Sequence, residues 1–220
     1  LRPETAQGMF VNFKNTVDAF HPKLPFGMAQ IGKAFRNEIA PRDFLFRQRE
    51  FEQMEIEYFI RSKDWEKYFE YWKEEMLAWM KEVGFDMKKV HELEVSKEDR
   101  AHYSSRTIDF EFDYPFGKKE LFCLAYRTDF DLKNHKLEYI DEENGEKIIP
   151  HVIEPTFGVD RAVLALLLSA YTEDNKDGEV REYLRFKASI APVICAVSPL
   201  LKNKPELVAK ANDVFGVLKT

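Results

Sequence analysis

The chain has 220 residues, 45% of them hydrophobic, and a formal net charge of -6, so it can bury one sizeable core and begin a second domain. Its longest apolar run, residues 162–170, is far shorter than the roughly 20 residues that span a bilayer, and no signal segment opens the sequence; neither a membrane partner nor secretion is expected. The two cysteines, Cys123 and Cys195, lie far apart, which suggests neither a zinc ribbon nor a disulfide framework and favours a cytoplasmic location.

The negative net charge hides one basic segment, between His21 and Arg49. This segment has six basic residues against the acidic Glu38 and Asp43, a local balance of about +4, so we expect an anion to bind there. An ordinary basic surface strip explains the composition equally well. The basic residues are Lys23, Lys33, Arg36, Arg42, Arg47 and Arg49.

The first predicted elements are a long strand and a helix. Residues 46–60 place aromatic and β-branched residues between charges, which is typical of a strand with polar groups on one face. A helix follows, which Ser62 is expected to cap and Gly84 to end. Its large apolar residues recur at spacings of three and four, which predicts a packing face. They are Trp65, Tyr68, Phe69, Trp72, Met76, Trp79, Met80 and Val83.

The remaining elements are predicted from alternation, turns and apolar runs. A two-residue period gives a strand over residues 108–113. Asn144-Gly145 predicts a hairpin between residues 137–141 and 147–153. An apolar helix should follow Gly158 and lie buried beneath the sheet.

The last part of the chain is expected to open a second domain. Residues 172–179 are polar and resemble a loop that leads to a domain boundary. Residues 192–197 form a short apolar run that predicts a strand, and residues 205–218 predict a helix.

Arginines and carboxylates stand in strand-like, apolar surroundings, where buried charges need partners. Taken singly, each favours a structural salt bridge over a ligand contact. Their order is more specific. Phe35-Arg36-Asn37-Glu38, followed by Arg47-Gln48-Arg49-Glu50-Phe51, resembles the second signature motif of class II aminoacyl-tRNA synthetases, and Glu154-Pro155-Thr156-Phe157-Gly158-Val159-Asp160-Arg161 resembles the third.

A third segment, Leu1-Arg2-Pro3-Glu4-Thr5-Ala6-Gln7-Gly8, together with Glu55, resembles the glycine-specific family, of the dimeric type found in archaea and eukaryotes. The resemblance runs to about Pro199. It implies an α+β catalytic core over residues 1–187, an antiparallel sheet flanked by helices that lacks its N-terminal dimerisation motif. Residues 188–220 would begin an α/β anticodon-binding domain, so the chain is expected to be a catalytic-core fragment.

The same resemblance implies activation of glycine with ATP and Mg²⁺, transfer of glycine to the 3′ end of tRNA(Gly), and a homodimer in the full-length protein. Arg36 and Arg161 would be catalytic, with Arg36 between the α-phosphate and the glycine carboxylate. Phe51 would stack on adenine, and Glu120 would lie near the magnesium. The implied ATP-binding residues are Arg36, Asn37, Glu38, Arg47, Gln48, Phe51, Glu120, Leu121 and Arg161.

The implied glycine site holds three carboxylates for the ammonium group, and Thr156 fills the space that a methyl group would need. Carboxylates so close together repel one another, so we expect a raised pKa and pH-coupled glycine binding. The implied residues are Glu4, Glu55, Glu154, Pro155 and Thr156.

One departure and two alternatives stay open. Cys123 stands where the family usually has a glycine, which puts close backbone approach to the nucleotide in doubt. One alternative is a synthetase-like protein that binds nucleic acid or a partner without catalysis, although relatives of that kind lose motif residues such as Arg36 and Glu154 that stand here. The other is a class II synthetase for another amino acid, against which the three glutamates and Thr156 argue.

Overall fold

A computed structural model describes residues 1–141 and 144–219. The chain divides into two compact units, residues 1–185 and 186–220. The helices are α1 (Ala6–Phe20), α2 (Trp65–Val83), α3 (Phe130–Asn134), α4 (Val159–Ala170) and α5 (Pro205–Leu218). The strands are β1 (Phe26–Phe35), β2 (Glu50–Ile60), β3 (Val90–Glu94), β4 (Arg106–Tyr114), β5 (Gly117–Thr128), β6 (Tyr139–Ile140), β7 (Lys147–Ile148), β8 (His151–Gly158), β9 (Tyr171–Lys176) and β10 (Glu179–Leu184).

The first unit is built on a six-stranded sheet in the order β1-β2-β8-β5-β4-β3, and every neighbouring pair is antiparallel. Helices flank this sheet, so the predicted fold class is confirmed. None of the described helices is long and apolar enough to cross a bilayer. The assignment of the second unit to an anticodon-binding domain stays a prediction.

The two faces of the sheet differ in character because side chains alternate along each strand. One face carries the core, in which the strands pack with residues of α2 and α4. Its buried strand residues include Ile108, Phe110, Phe112, Phe122, Leu124 and Ile153. The opposite face carries polar side chains of the neighbouring strands β2, β8 and β5, among them Glu55, Thr156 and Cys123, which lie side by side in register. The strand predicted over residues 108–113 is confirmed as part of β4.

The aromatic stripe of α2 is a packing face, as predicted. Phe69, Met76 and Met80 are buried in the core. Gly84 ends the helix with φ of 100° and donates its N–H to Met80 O at 3.1 Å, a left-handed conformation that favours glycine. The predicted Ser62 cap is wrong, because Ser62 begins a 3₁₀ turn and the helix starts three residues later.

Helix α1 was not foreseen from the sequence. Ala6, Phe10 and Phe13 recur at helical spacing and pack in a second apolar cluster with Phe59 of β2. The helix that follows Gly158 is confirmed as α4, but it is buried on one side only, not all round as its apolar sequence suggested. Only small residues, Ala162, Ala165 and Ala170, are fully buried along it, while larger side chains such as Val163 reach the surface.

Strand β2 begins at Glu50 rather than at residue 46. Residues 42 and 47 form an isolated antiparallel bridge, with Arg42 N donating to Arg47 O at 3.1 Å. Between them Asp43 and Phe44 adopt positive φ angles of 59° and 51°. The chain therefore turns back tightly before it enters the strand.

Three predictions in the second half of the chain need correction. The hairpin around Gly145 is confined to β6 and β7, and β8 belongs to the main sheet instead; residues 142 and 143 lie outside the described residues. Residues 172–179 are not a loop but most of the β9–β10 hairpin. Residues 192–197 form no strand. The helix over residues 205–218 is confirmed as α5.

Candidate active site

A cleft of about 380 Å³ opens on the polar face of the sheet. Of the residues that the sequence implied for ATP and glycine, all but Asn37 and Pro155 line it. Asn37 is exposed outside the cleft, and Pro155 is buried, because it alternates with Glu154 and Thr156 along β8 and faces the core. The implied residues that line the cleft are Glu4, Arg36, Glu38, Arg47, Gln48, Phe51, Glu55, Glu120, Leu121, Glu154, Thr156 and Arg161.

Arg36 directly follows β1 and continues the pairing with the neighbouring strand, since its N–H donates to Arg49 O at 2.9 Å. Its guanidinium lies over the Phe51 ring, with 5.2 Å between Cζ and the ring centroid. Its Nε donates to Pro3 O at 3.1 Å. The remaining donors of this guanidinium, on an exposed residue, are in a position to meet an anion.

The loop after Arg36 is tied to the start of β2. Arg47 Nη1 lies 3.2 Å from Glu38 Oε2, and Arg49 Nε donates to Glu38 O at 2.8 Å. Gln48 Nε2 donates to Leu45 O at 3.2 Å. Glu38 therefore fixes two arginines, and the loop lines the cleft in a defined conformation.

Arg161 lies in the first turn of α4 and reaches across to β5. Its Nη1 donates to Glu120 O at 3.0 Å and lies 3.3 Å from Glu120 Oε1. Its guanidinium also packs on the Phe46 ring at 4.3 Å. Arg161 and Glu120 thus stand as a pair at the cleft, and the Glu120 carboxylate is half exposed.

Two of the carboxylates implied for glycine, Glu55 and Glu154, are buried, and Glu154 pairs with a cation that the sequence analysis missed. Arg127, which is 2% exposed, donates to Glu154 and forms a two-pronged pair with Asp131, at 2.7 Å and 2.9 Å. Thr156 Oγ1 donates to the other oxygen of Glu154 at 2.8 Å. On β2, Glu55 accepts hydrogen bonds from the backbone N–H and the hydroxyl of Thr5.

Burial raises the pKa of Glu154 to about 7, with Arg127 opposing the shift and Glu55 adding to it. Glu57, two residues beyond Glu55 on β2, is completely buried. Burial, and next the charge of Glu154, raises the pKa of Glu57 well above its usual range. Neither carboxyl oxygen of Glu57 has a hydrogen-bond partner in the described part of the chain. One expectation from the sequence, a raised pKa among the glutamates, therefore holds for Glu154.

Cys123 lines the cleft between Asp109 and Thr156, its partners on the two neighbouring strands. Burial, and next the charge of Asp109, raises the pKa of the Cys123 thiol well above its usual value, so the thiol behaves as a small, inert side chain. The strand accommodates a cysteine at the position where the resemblance implies a glycine.

Sequence reasoning missed Arg127, Tyr103 and Glu57. Arg127 carried no helical-spacing signal, because it lies at the end of β5 while Asp131 lies in α3, and their ion pair depends on the turn between the two elements. Tyr103 and Glu57 carried none, since their roles depend on strand register and on the path of a loop.

The cleft and the antiparallel sheet agree with one family of enzymes. The family described as tRNA synthetase class II core domain (G, H, P, S and T) matches residues 1–171. The chain belongs to this family, and the resemblance to class II synthetases is confirmed.

Individual relatives make the comparison more specific. The chain is 49% identical to a glycine–tRNA ligase of Thermus thermophilus over 234 aligned residues, which cover 96% of this chain and 46% of the relative. It is 47% identical to one of Caldanaerobacter subterraneus, covering 96% of this chain and 47% of the relative. A third, from Deinococcus radiodurans, is 46% identical with the same coverage of 96% and 47%. The chain spans about half the length of these curated relatives. The archaeal and eukaryotic subtype stays a prediction.

Proposed function

We propose that the full-length protein activates glycine with ATP and transfers it to the 3′ end of tRNA(Gly). The observation that carries this proposal is the composition of one cleft. Two arginines packed on aromatic rings, Arg36 and Arg161, suit the phosphates of a nucleotide. Buried carboxylates in the same cleft, Glu55 and Glu154, suit an ammonium group. The glycine–tRNA ligases named above support the choice of glycine.

In the proposed reaction, a carboxylate oxygen of glycine attacks the α-phosphorus of ATP and pyrophosphate leaves. A hydroxyl of the terminal tRNA ribose then attacks the carbonyl carbon, and AMP leaves. Two anions meet in the first step, so positioning and charge stabilisation supply the catalysis without a protein nucleophile. Arg36 would hold the α-phosphate and the glycine carboxylate together, since its planar fork can bind both.

The nucleotide site extends along the motif residues. Phe51 would stack on the adenine, beside Leu121, and Glu38 would orient its edge. Arg47 would reach the phosphate tail, and Arg161 would bind the γ-phosphate or the other face of the adenine. The remaining implied nucleotide contacts are Asn37 and Gln48, of which Gln48 lines the cleft; Pro155 belongs to the implied glycine site.

Mg²⁺ fits this site through Glu120. Among the described residues, no group of three or more His, Cys, Asp or Glu side chains is placed to hold a metal, and Mg²⁺ bound through substrate phosphates needs only one or two carboxylates. Glu120 offers one such half-exposed carboxylate in the cleft. When bound, the ion would neutralise charge on the phosphates.

Several further features belong to the same proposal. The full-length protein would be a cytoplasmic homodimer of the archaeal and eukaryotic-like type. The second unit, residues 186–220, would begin its anticodon-binding domain.

Amino-acid-dependent exchange of pyrophosphate into ATP, screened over all amino acids with the full-length protein, tests the proposal. We expect exchange with glycine alone. Exchange with another amino acid would assign a different synthetase, and none at all from a folded protein would favour the non-catalytic binding protein.

An Arg36→Ala variant then tests the role of the guanidinium. The rate of exchange should fall by roughly 10²–10³, as for the removal of one donor to a developing charge. A higher KM for ATP with an unchanged kcat would assign Arg36 to ground-state binding. Arg181→Ala, at an exposed arginine of β10 outside the cleft lining, is the matched control.

A further inference from the structure

Tyr103 lines the cleft although it belongs to none of the segments that resemble a signature motif. It lies in the loop between β3 and β4, and its ring packs on the guanidinium of Arg127, with 3.9 Å between Cζ and the ring centroid. Burial, and next the charge of Glu154, raises the pKa of the phenol to about 12, with smaller contributions from Cys123 and Glu4. Tyr103 therefore lines the same cleft as Glu4 and Glu154, and its ring packs on the arginine that pairs with Glu154.

The ring is held in place from several sides. The next two residues anchor the loop, since Ser104 Oγ lies 2.7 Å from Thr107 Oγ1 and Ser105 N donates to Tyr126 O at 2.9 Å. The centroid of the Phe130 ring lies 6.4 Å from that of Tyr103. Arg127, on which the ring rests, is itself fixed by its pair with Asp131 and by Glu154.

Selection of the smallest amino acid needs such a rigid group. A pocket gains only about 10–200-fold from the contacts of one methylene, so an amino acid larger than glycine has to be rejected by lack of space. Thr156 and Cys123, which lie in register with Glu55 on the cleft face of the sheet, have small side chains. A large, fixed ring that enters from a loop closes the space more completely.

We propose that Tyr103 is a specificity-determining residue of the amino-acid subsite, whose ring occupies the volume that a side chain on the substrate α-carbon would need. This proposal rests on the proposed function and deepens it. The substrate class is an α-amino acid without a side chain.

The test compares glycine with alanine in pyrophosphate exchange by the full-length protein. In Tyr103→Ala, the ratio of kcat/KM for glycine over alanine should fall at least tenfold, because alanine gains access. Tyr103→Phe keeps the ring and its contact with Arg127, so its ratio should stay within about threefold of wild type. Tyr183→Ala, at an exposed tyrosine of β10 outside the cleft lining, is the matched control and should leave the ratio unchanged.

A merely structural role would lower kcat/KM for both amino acids equally and leave their ratio intact, and that result in Tyr103→Ala overturns the proposal. If Tyr103→Ala does not fold, Tyr103→Leu retains apolar bulk and should lower the ratio to an intermediate value; an unchanged ratio in a folded Leu variant also overturns it. Wild-type protein that fails to use glycine would refute the proposed function instead, before any variant is compared.

Discussion

The Arg127 guanidinium forms ion pairs with two buried carboxylates at once. It pairs with Asp131 through two hydrogen bonds, from Nε and Nη2, and donates to Glu154 from Nη1. Glu55 and Glu57 add further carboxyl groups to the same buried region. One protein cation thus faces several carboxyl groups, and a second cation, such as a substrate ammonium, would balance them.

The raised pKa of Glu154 gives a pH dependence with a definite sign. Glu154 is protonated below about 7 and ionised above it, and an ammonium group binds the ionised form. The KM for glycine should therefore fall as the pH rises through this value, until the substrate amine loses its own proton. Steady-state pyrophosphate-exchange kinetics between pH 5.5 and 8.5 measure the KM for glycine as a function of pH.

Glu154→Gln removes the titrating group and should flatten this profile, with a KM above that of wild type at pH 8. Asp109 serves as a control, because burial raises its pKa to about 6 although it does not line the cleft. Asp109→Asn should keep the wild-type profile. A profile that stays steep in Glu154→Gln would place the titrating group elsewhere.

The buried carboxyl group of Glu57 lowers the free energy of unfolding at neutral pH. Its folded pKa lies above the unfolded value, so the stability contribution of its carboxyl is fully present below the unfolded pKa of about 4.3 and is lost as the pH rises toward the folded pKa. Glu57→Met has similar length and removes both unpartnered oxygens. We expect it to raise the free energy of unfolding at pH 7.5 by about 1–3 kcal/mol.

Urea unfolding of both proteins at pH 7.5 and pH 4.5 tests this expectation, since the advantage of methionine should shrink at the lower pH. An equal difference at both pH values would show that Glu57 does not titrate on folding. Glu57→Gln, which stays polar, separates the loss of charge from the loss of polar atoms.

Residues of the site were predictable from the sequence where they belong to short motifs that follow one another in a recognisable order along the chain. Arg36, Phe51 and Arg161 follow from the sequence because short segments carry them. Arg127 and Tyr103 do not, because Arg127 pairs with Glu154 only once β5 is in register with β8, and Tyr103 lines the cleft only once the β3–β4 loop is anchored. The packing of Tyr103 on Arg127 joins two segments that lie apart in the chain.

At the level of elements, strong hydrophobic periodicity predicted helices and strands correctly, whereas polar composition alone predicted them poorly. The stripe of α2 and the alternation of β4 were confirmed, since both patterns reflect one buried face. The β9–β10 hairpin was wrongly expected to be a loop because its strands are polar and exposed. Its pairing is marked instead by the turn at Gly178, with φ of 88°.

Gly84 shows how a single residue ends an element. Its φ of 100° is costly for a residue with a Cβ atom, so Gly84→Ala should lower the free energy of unfolding by about 1 kcal/mol. Gly84→Asn should cost less, because asparagine tolerates this conformation better. Thermal or urea unfolding of the two variants measures both differences. Equal stability of wild type and Gly84→Ala would mean that the backbone at residue 84 adjusts to a conformation that alanine tolerates.

At the level of the whole molecule, the net charge and the charge of the basic segment have opposite signs. The chain carries -6 overall, yet its basic segment ends at the mouth of the cleft, where Arg36 and Arg47 line the wall. A polyanion would therefore be drawn to one region and repelled by much of the remaining surface. This asymmetry suits a tRNA whose terminal adenosine enters the cleft while its acceptor stem stays outside.

The salt dependence of tRNA binding tests whether the basic segment meets that stem. Each phosphate contact adds about one unit to the slope of log affinity against log salt, so Lys23→Gln and Arg42→Gln should each flatten the slope by about one. Lys14→Gln is the matched control, because Lys14 lies on α1 and pairs with Asp18 at 2.6 Å; its slope should equal that of wild type. Filter binding of tRNA(Gly) to the full-length protein between 50 and 300 mM salt, with roughly half-unit precision, resolves the difference. Unchanged slopes in both Lys23→Gln and Arg42→Gln would mean that the basic segment does not contact the tRNA. Its role would then be limited to ATP binding by those of its residues that line the cleft.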